Sequence, residues 1–86
     1  MKRTKHKDFL KDFGMKLREI RKSKGLTQET LSYLSDIELS TLNRIELGKA
    51  NTSLTNIVSI CEALEIQPKN LFDFEVEKGK HSTRST

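Results

Sequence analysis

The segment Glu38 to Leu47 of this 86-residue chain carries side chains suited to recognition rather than to bond making. Arg44 offers a planar fork of N–H donors, Asn43 a carboxamide that both donates and accepts, and Ser40 a hydroxyl. Wound at 3.6 residues per turn, Ser40, Asn43, Arg44 and Leu47 share one face, with Leu39 on its flank and Glu38 at its start. Leu42, Ile45 and Glu46 then face the other way. Catalytic chemistry is not expected: there is no glycine-rich phosphate loop, no histidine paired with a nucleophile and no carboxylate pair needing an unusual environment. The single Cys61 and two distant histidines are too few for a structural zinc site. Neither a metal, a cofactor nor a small-molecule ligand is implied, and no disulfide can form within the chain.

A rod presented in this way needs elements to hold it. Phe9, Leu10, Phe13, Leu17 and Ile20 fall on one arc of a first helix, while Lys11, Arg18 and Lys22 point oppositely. Gly25 supplies its left-handed stop. Gly14 interrupts the pattern and costs about 1 kcal/mol relative to alanine, so the part before it should fray or form a separate turn. Thr27 caps a short second helix from Gln28 to about Ser35 that buries Leu31 and Leu34. Asp36 and Ile37 form a tight turn, and a third helix runs from about Glu38 to Leu47, ending at Gly48. Ser53 caps a fourth helix with Leu54, Ile57, Val58, Cys61 and Leu64 on one face, which makes Cys61 a small core hydrophobe rather than a nucleophile. Pro68 opens a short fifth helix containing Leu71 and Phe72.

Composition sets the same bounds. Leu, Ile, Val and Phe make up about a quarter of the chain, enough for one core and too few for two. One proline, four glycines and few β-branched runs favour an all-α domain. The pattern divides the chain into a basic arm over 1–8, a folded domain over 9–76 and a disordered tail over 77–86. No stretch is apolar enough for a signal peptide or a membrane helix, so a cytoplasmic protein without membrane contact is expected. The net charge of +4 is unevenly spread: residues 1–25 hold ten Lys or Arg against three acids, and residues 26–77 hold three against nine. Such asymmetry suits a nucleic acid or another anionic partner.

The stretch Gly14 to Leu71, with Arg21, Gly25-Leu26-Thr27-Gln28, Ile45-Glu46-x-Gly48 and Ser53-Leu54 at these spacings, resembles the Cro and phage-repressor type of helix-turn-helix domain, the xenobiotic-response-element class of bacterial regulators. The resemblance implies a compact five-helix bundle of the lambda-repressor-like type. Helices two and three form the helix-turn-helix, and helix three lies in the major groove of double-stranded DNA. It also implies that Gln28 and the amides at the start of helix two clamp a phosphate, with Thr27 as cap, and that Arg21 and Glu46 form a partly buried ion pair. In that setting Arg44 either donates two bonds to guanine O6 and N7 or is a surface arginine that pairs with a phosphate or with nothing. Asn43 bridges an adenine or holds a phosphate, and Ser40 bonds to either. Leu39 packs on a thymine methyl or against helix two. Glu38 reads cytosine N4 or serves as a favourable charge at the helix start. Lys49 and Asn51 are candidate backbone contacts, and Lys2, Arg3, Lys5 and Lys7 either follow the DNA or form a solvated tail.

Asp36 stands where the family's turn usually has glycine, Glu38 replaces its usual small hydroxyl cap, and the reading helix has one basic residue. Weak monomer binding favours a homodimer with two reading helices about one helical repeat apart, roughly 34 Å. Candidate interface residues are Ile60, Ile66, Phe72, Phe74 and Val76, unless they simply cap the core. The expected function is a sequence-specific transcriptional regulator, chiefly a repressor. The alternatives are a protein-interaction module on the same scaffold, such as an antitoxin or adaptor, and a restriction-modification controller protein.

Overall fold

Polar residues cap the starts of several helices, and left-handed residues end four of them. The computed structural model describes residues 6–76. It comprises α1 (Lys7–Ser23), α2 (Gln28–Ser35), α3 (Leu39–Glu46), α4 (Leu54–Leu64) and α5 (Pro68–Leu71), with no strand among the described residues. Thr27 Oγ1 accepts from Thr30 N at 3.0 Å, and Ser53 Oγ accepts from Asn56 N at 3.1 Å. Each hydroxyl occupies an amide that the helix itself leaves unpaired. At α5 the reciprocal box is formed by Gln67 and Asn70, and Pro68 sets the first helical φ.

The four longer helices end alike. Gly25, Asp36, Gly48 and Glu65 have φ of 72, 58, 76 and 58°, and the next amide bonds back five residues: Leu26 to Arg21, Ile37 to Ser32, Lys49 to Arg44 and Ile66 to Cys61. Asp36 thus takes the role expected of a turn glycine, at the modest cost that conformation has for an aspartate. Ile37, just beyond it, is buried and anchors the short connection to α3.

α1 packs on α3 and α5, α2 on α3 and α4, and α4 on α5. Phe13, Leu17, Leu31, Ile37, Leu42, Ile45, Ile60, Leu64 and Leu71 meet between them, and Cys61 sits among these as a core hydrophobe whose thiol pKa is pushed up by burial.

Several expectations need correction. α1 begins at Lys7, inside the expected arm, and runs unbroken through Gly14. A Cβ at Gly14 would collide with the carbonyl oxygens of Ile45 and Glu46, so the glycine is a point of helix-to-helix approach rather than a weak joint. Gly14→Ala should therefore destabilise the fold by about 1–3 kcal/mol, read as a lower urea midpoint at unchanged m. An unaltered midpoint would show that α1 and α3 can separate freely. In α2 the buried partner of Leu31 is Ser35, whose hydroxyl bonds to Leu31 O at 2.7 Å, and Leu34 is exposed. In α4, Leu54 and Val58 are exposed, and Ile60 takes their place in the core. Phe72 lies just beyond α5 and stacks near Phe9 and Phe13. Lys2, Arg3, Lys5 and the 77–86 tail lie outside the described residues.

Candidate nucleic-acid interface

The site begins with the closeness of two backbones. Gly14 lets α3 approach α1, and Gly48, at φ 76°, has no room for a Cβ against the Lys11 backbone. At this short separation Arg21 of α1 reaches Glu46 of α3 as a fork: Nε donates to Oε2 at 2.7 Å and Nη2 to Oε1 at 3.0 Å. The residues are 6% and 5% exposed, and Arg21 Nη1 also donates to Leu26 O at 2.8 Å. The hydrogen bond to Glu46 raises the guanidinium above its ordinary pKa against the opposing effect of burial, so it stays charged. The expected ion pair is present and ties α3 to α1 and to the α1–α2 turn.

The carboxylate holds a further partner that the sequence does not announce. Gln28 Nε2, at the start of α2, donates to Glu46 Oε1 at 2.9 Å, and Asn43 Nδ2 donates to Gln28 Oε1 at 3.3 Å. A continuous chain of hydrogen bonds therefore leads from buried Arg21 to an exposed amide on α3. The signal available in the sequence is only that Gln28 opens α2 and that Asn43 and Glu46 stand three apart.

α3 turns Leu42, Ile45 and Glu46 inward and leaves Leu39, Ser40, Asn43, Arg44 and Leu47 exposed, as the helical wheel requires. Glu38 occupies the N-cap position, exposed and without a side-chain capping bond, so only its charge is available to the helix start. Arg44 Nη2 donates to Lys49 O at 2.9 Å, which holds the guanidinium beside the loop after α3. Lys49 and Asn51 are exposed on that loop, and Thr27 is exposed beside Gln28. Between α1 and α3 runs an open groove of ≈ 520 Å³ lined by Lys11, Met15, Arg18, Gln28, Asn43 and Leu47. Lys11 and Arg18 thus flank the α3 face, a placement that depends on the neighbouring helix and not on their own periodicity.

The interface candidates separate. Ile60 is 0% exposed and belongs to the core, because α4 turns that side toward α2; it has no surface to offer another molecule. Ile66 and Phe74 are partly buried against the core, while Phe72 and Val76 are exposed.

Residues 17–71 match the helix-turn-helix family. The chain belongs to this family. It is 46% identical over 63 residues to control protein C.BamHI from Bacillus amyloliquefaciens, covering 72% of this chain and 78% of that protein. It is 39% identical over 67 residues to control protein C.MunI from Mycoplasma sp, covering 77% and 89%. The crystal structure of the restriction-modification controller protein C.AhdI from Aeromonas hydrophila superposes with a TM-score of 0.72 at 48% identity, covering 73% of this chain and 96% of that one. The helix-turn-helix here comprises α2, the Asp36–Ile37 turn and α3, in the Cro and phage-repressor arrangement that the motifs implied. This is a family of DNA-binding regulators and not of enzymes.

Proposed function

We propose that this protein is a controller-type transcriptional regulator of a restriction-modification system, which binds a short operator in double-stranded DNA as a homodimer and acts in the cytoplasm. The similarity to control proteins supports the controller class, and one observation carries the reading of DNA by α3. The exposed face Ser40, Asn43, Arg44 and Leu47 stands on a helix whose opposite face is locked by a buried, bidentate ion pair. A short polar helix held rigidly at the surface is what major-groove reading requires, because base-edge hydrogen bonds reward only donors already in place.

In this arrangement α3 enters the groove, with Arg44 directed to guanine, Asn43 and Ser40 to neighbouring edges and Leu39 to a thymine methyl. Thr27 and Gln28, at the amino end of α2, face a phosphate, where helix-end amides favour an anion without sequence preference. One Gln28 Nε2 hydrogen remains beyond its bond to Glu46. Lys49 and Asn51 meet the backbone after α3, and Glu38 supports the helix start. The second copy docks through apolar surface outside α3: Leu54 and Val58, one turn apart on α4, with Phe72 and Val76 near the carboxyl end. Leu54, at 78% exposure, is the largest surplus apolar side chain on α4, and covering it gives dimerisation a hydrophobic contribution.

The test is selection of bound duplexes from a random pool, with complex stoichiometry recorded. Enrichment of a two-fold symmetric site occupied by two chains supports the proposal; absence of any enriched sequence refutes it. Lys49→Ala should weaken binding to all sequences alike and reduce the slope of log K against log salt by about one. Its backbone carbonyl, which holds Arg44, is untouched. An unchanged slope would remove Lys49 from the phosphate contacts.

A further inference from the structure

The geometry points to Glu46 and Gln28 as positioning residues that fix the orientation of the Asn43 amide and thereby make adenine the base Asn43 selects. This inference rests on α3 reading DNA and deepens that assignment. It starts at the buried end. The Glu46 carboxylate, paired with Arg21, can only accept hydrogen bonds, and it takes Arg21 Nε and Nη2 together with Gln28 Nε2 at 2.9 Å. Gln28 must therefore present its NH₂ group inward, because the flipped amide would set its oxygen against a carboxylate oxygen. Its own oxygen consequently faces outward, toward Asn43.

The same constraint passes one residue further. Asn43 Nδ2 donates to Gln28 Oε1 at 3.3 Å, and flipping Asn43 would oppose two acceptors. Asn43 is thus left with one free N–H and with Oδ1 as a free acceptor, on an exposed face of α3. Adenine presents an N6–H donor beside the N7 acceptor in the major groove and satisfies both groups. Guanine presents O6 and N7, two acceptors, and leaves Oδ1 facing a like pole. Cytosine can supply only the single N4 donor, and a phosphate only acceptors. The direction of hydrogen bonding, set by a buried carboxylate and transmitted by one glutamine, therefore favours adenine, the one base that offers Asn43 a donor and an acceptor side by side in the major groove. Gln28 and Glu46 contribute to selectivity without touching the base.

The experiment is duplex selection from a random pool by the full chain, by Gln28→Ala, by Asn43→Ala and by the double variant, with thermal melting of each. In the wild-type selection one position per half-site is adenine. Asn43→Ala abolishes that preference, and Gln28→Ala weakens it about tenfold at the same position while the rest of the consensus remains. The double variant is no worse at that position than Asn43→Ala. Gln28→Ala keeps the Arg21–Glu46 pair, so its melting should move little. A Gln28→Ala protein that binds all sequences more weakly but keeps the adenine overturns the inference, since Gln28 would then act only on phosphate. So does an adenine that survives in Asn43→Ala. A wild-type chain that enriches no sequence overturns the proposed function along with it, whereas the other two contrary outcomes leave that function intact.

Discussion

Replacing Glu46 by alanine is expected to lower the unfolding free energy by about 3–5 kcal/mol, more than any substitution on the exposed face of α3. Removing the carboxylate strands a guanidinium that is 6% exposed, with Leu26 O as its one remaining protein partner among those bonds. A small domain holds roughly 5–15 kcal/mol in total, so the variant should populate unfolded chains measurably at growth temperature. Urea denaturation of the two proteins at matched concentration gives the difference directly. The double change Arg21→Met with Glu46→Leu should cost less than Glu46→Ala alone, because it removes both desolvation penalties together. A Glu46→Ala shift below about 1 kcal/mol would mean that water replaces the carboxylate and that α3 is not locked as described.

Arg44→Ala should have the next largest effect, and on binding rather than on folding. Its guanidinium is exposed and uses one N–H on Lys49 O, which leaves other donors for a guanine edge. A bidentate contact contributes about 1–3 kcal/mol of discrimination, and a dimer makes it twice, so a full operator should lose roughly 2–6 kcal/mol of preference for its guanine over other bases. The measurement is the affinity ratio between the selected operator and one with that guanine exchanged in both half-sites. The ratio should collapse toward one in the variant while its melting temperature stays close to wild type. A retained ratio accompanied by a uniform loss of affinity would assign Arg44 to phosphate instead.

The parts of this molecule that can be read from its residues are those governed by local chemistry. Thr27, Ser53 and Pro68 mark helix starts because their own atoms satisfy or avoid the unpaired amides, and Gly25 and Gly48 mark ends because the backbone there requires a positive φ. The outward face of α3 follows from periodicity alone. α4 shows where periodicity stops. Leu54, Ile57, Val58 and Cys61 form one helical stripe, and Ile57, Ile60, Cys61 and Leu64 form an equally regular one three residues later. Only the position of α2 against α4 selects the second stripe, which leaves Leu54 and Val58 at the surface and takes Ile60 from the interface candidates into the core.

The same ambiguity exchanges Leu34 and Ser35 in α2, where a three-residue and a four-residue step from Leu31 are equally regular and packing selects the second. Gly14 is hard to read for a related reason. Its local cost is visible in the sequence, whereas its benefit lies in the carbonyl oxygens of Ile45 and Glu46, on a different helix. The Arg21–Glu46 pair is legible through family resemblance, but the extension through Gln28 to Asn43 depends on three helices meeting at one point. Side-chain networks of this kind become visible only when the packing is known.

We propose α3 as the surface that meets DNA. Amide chemical-shift mapping during titration with the selected operator reports on every residue of the bundle at once. The largest changes should fall on Thr27, Gln28 and the 39–51 segment, with Ser40, Asn43 and Arg44 foremost. Changes confined to α4 and the carboxyl end, with α3 unperturbed, would remove α3 from the DNA interface and leave the scaffold as a protein-interaction module.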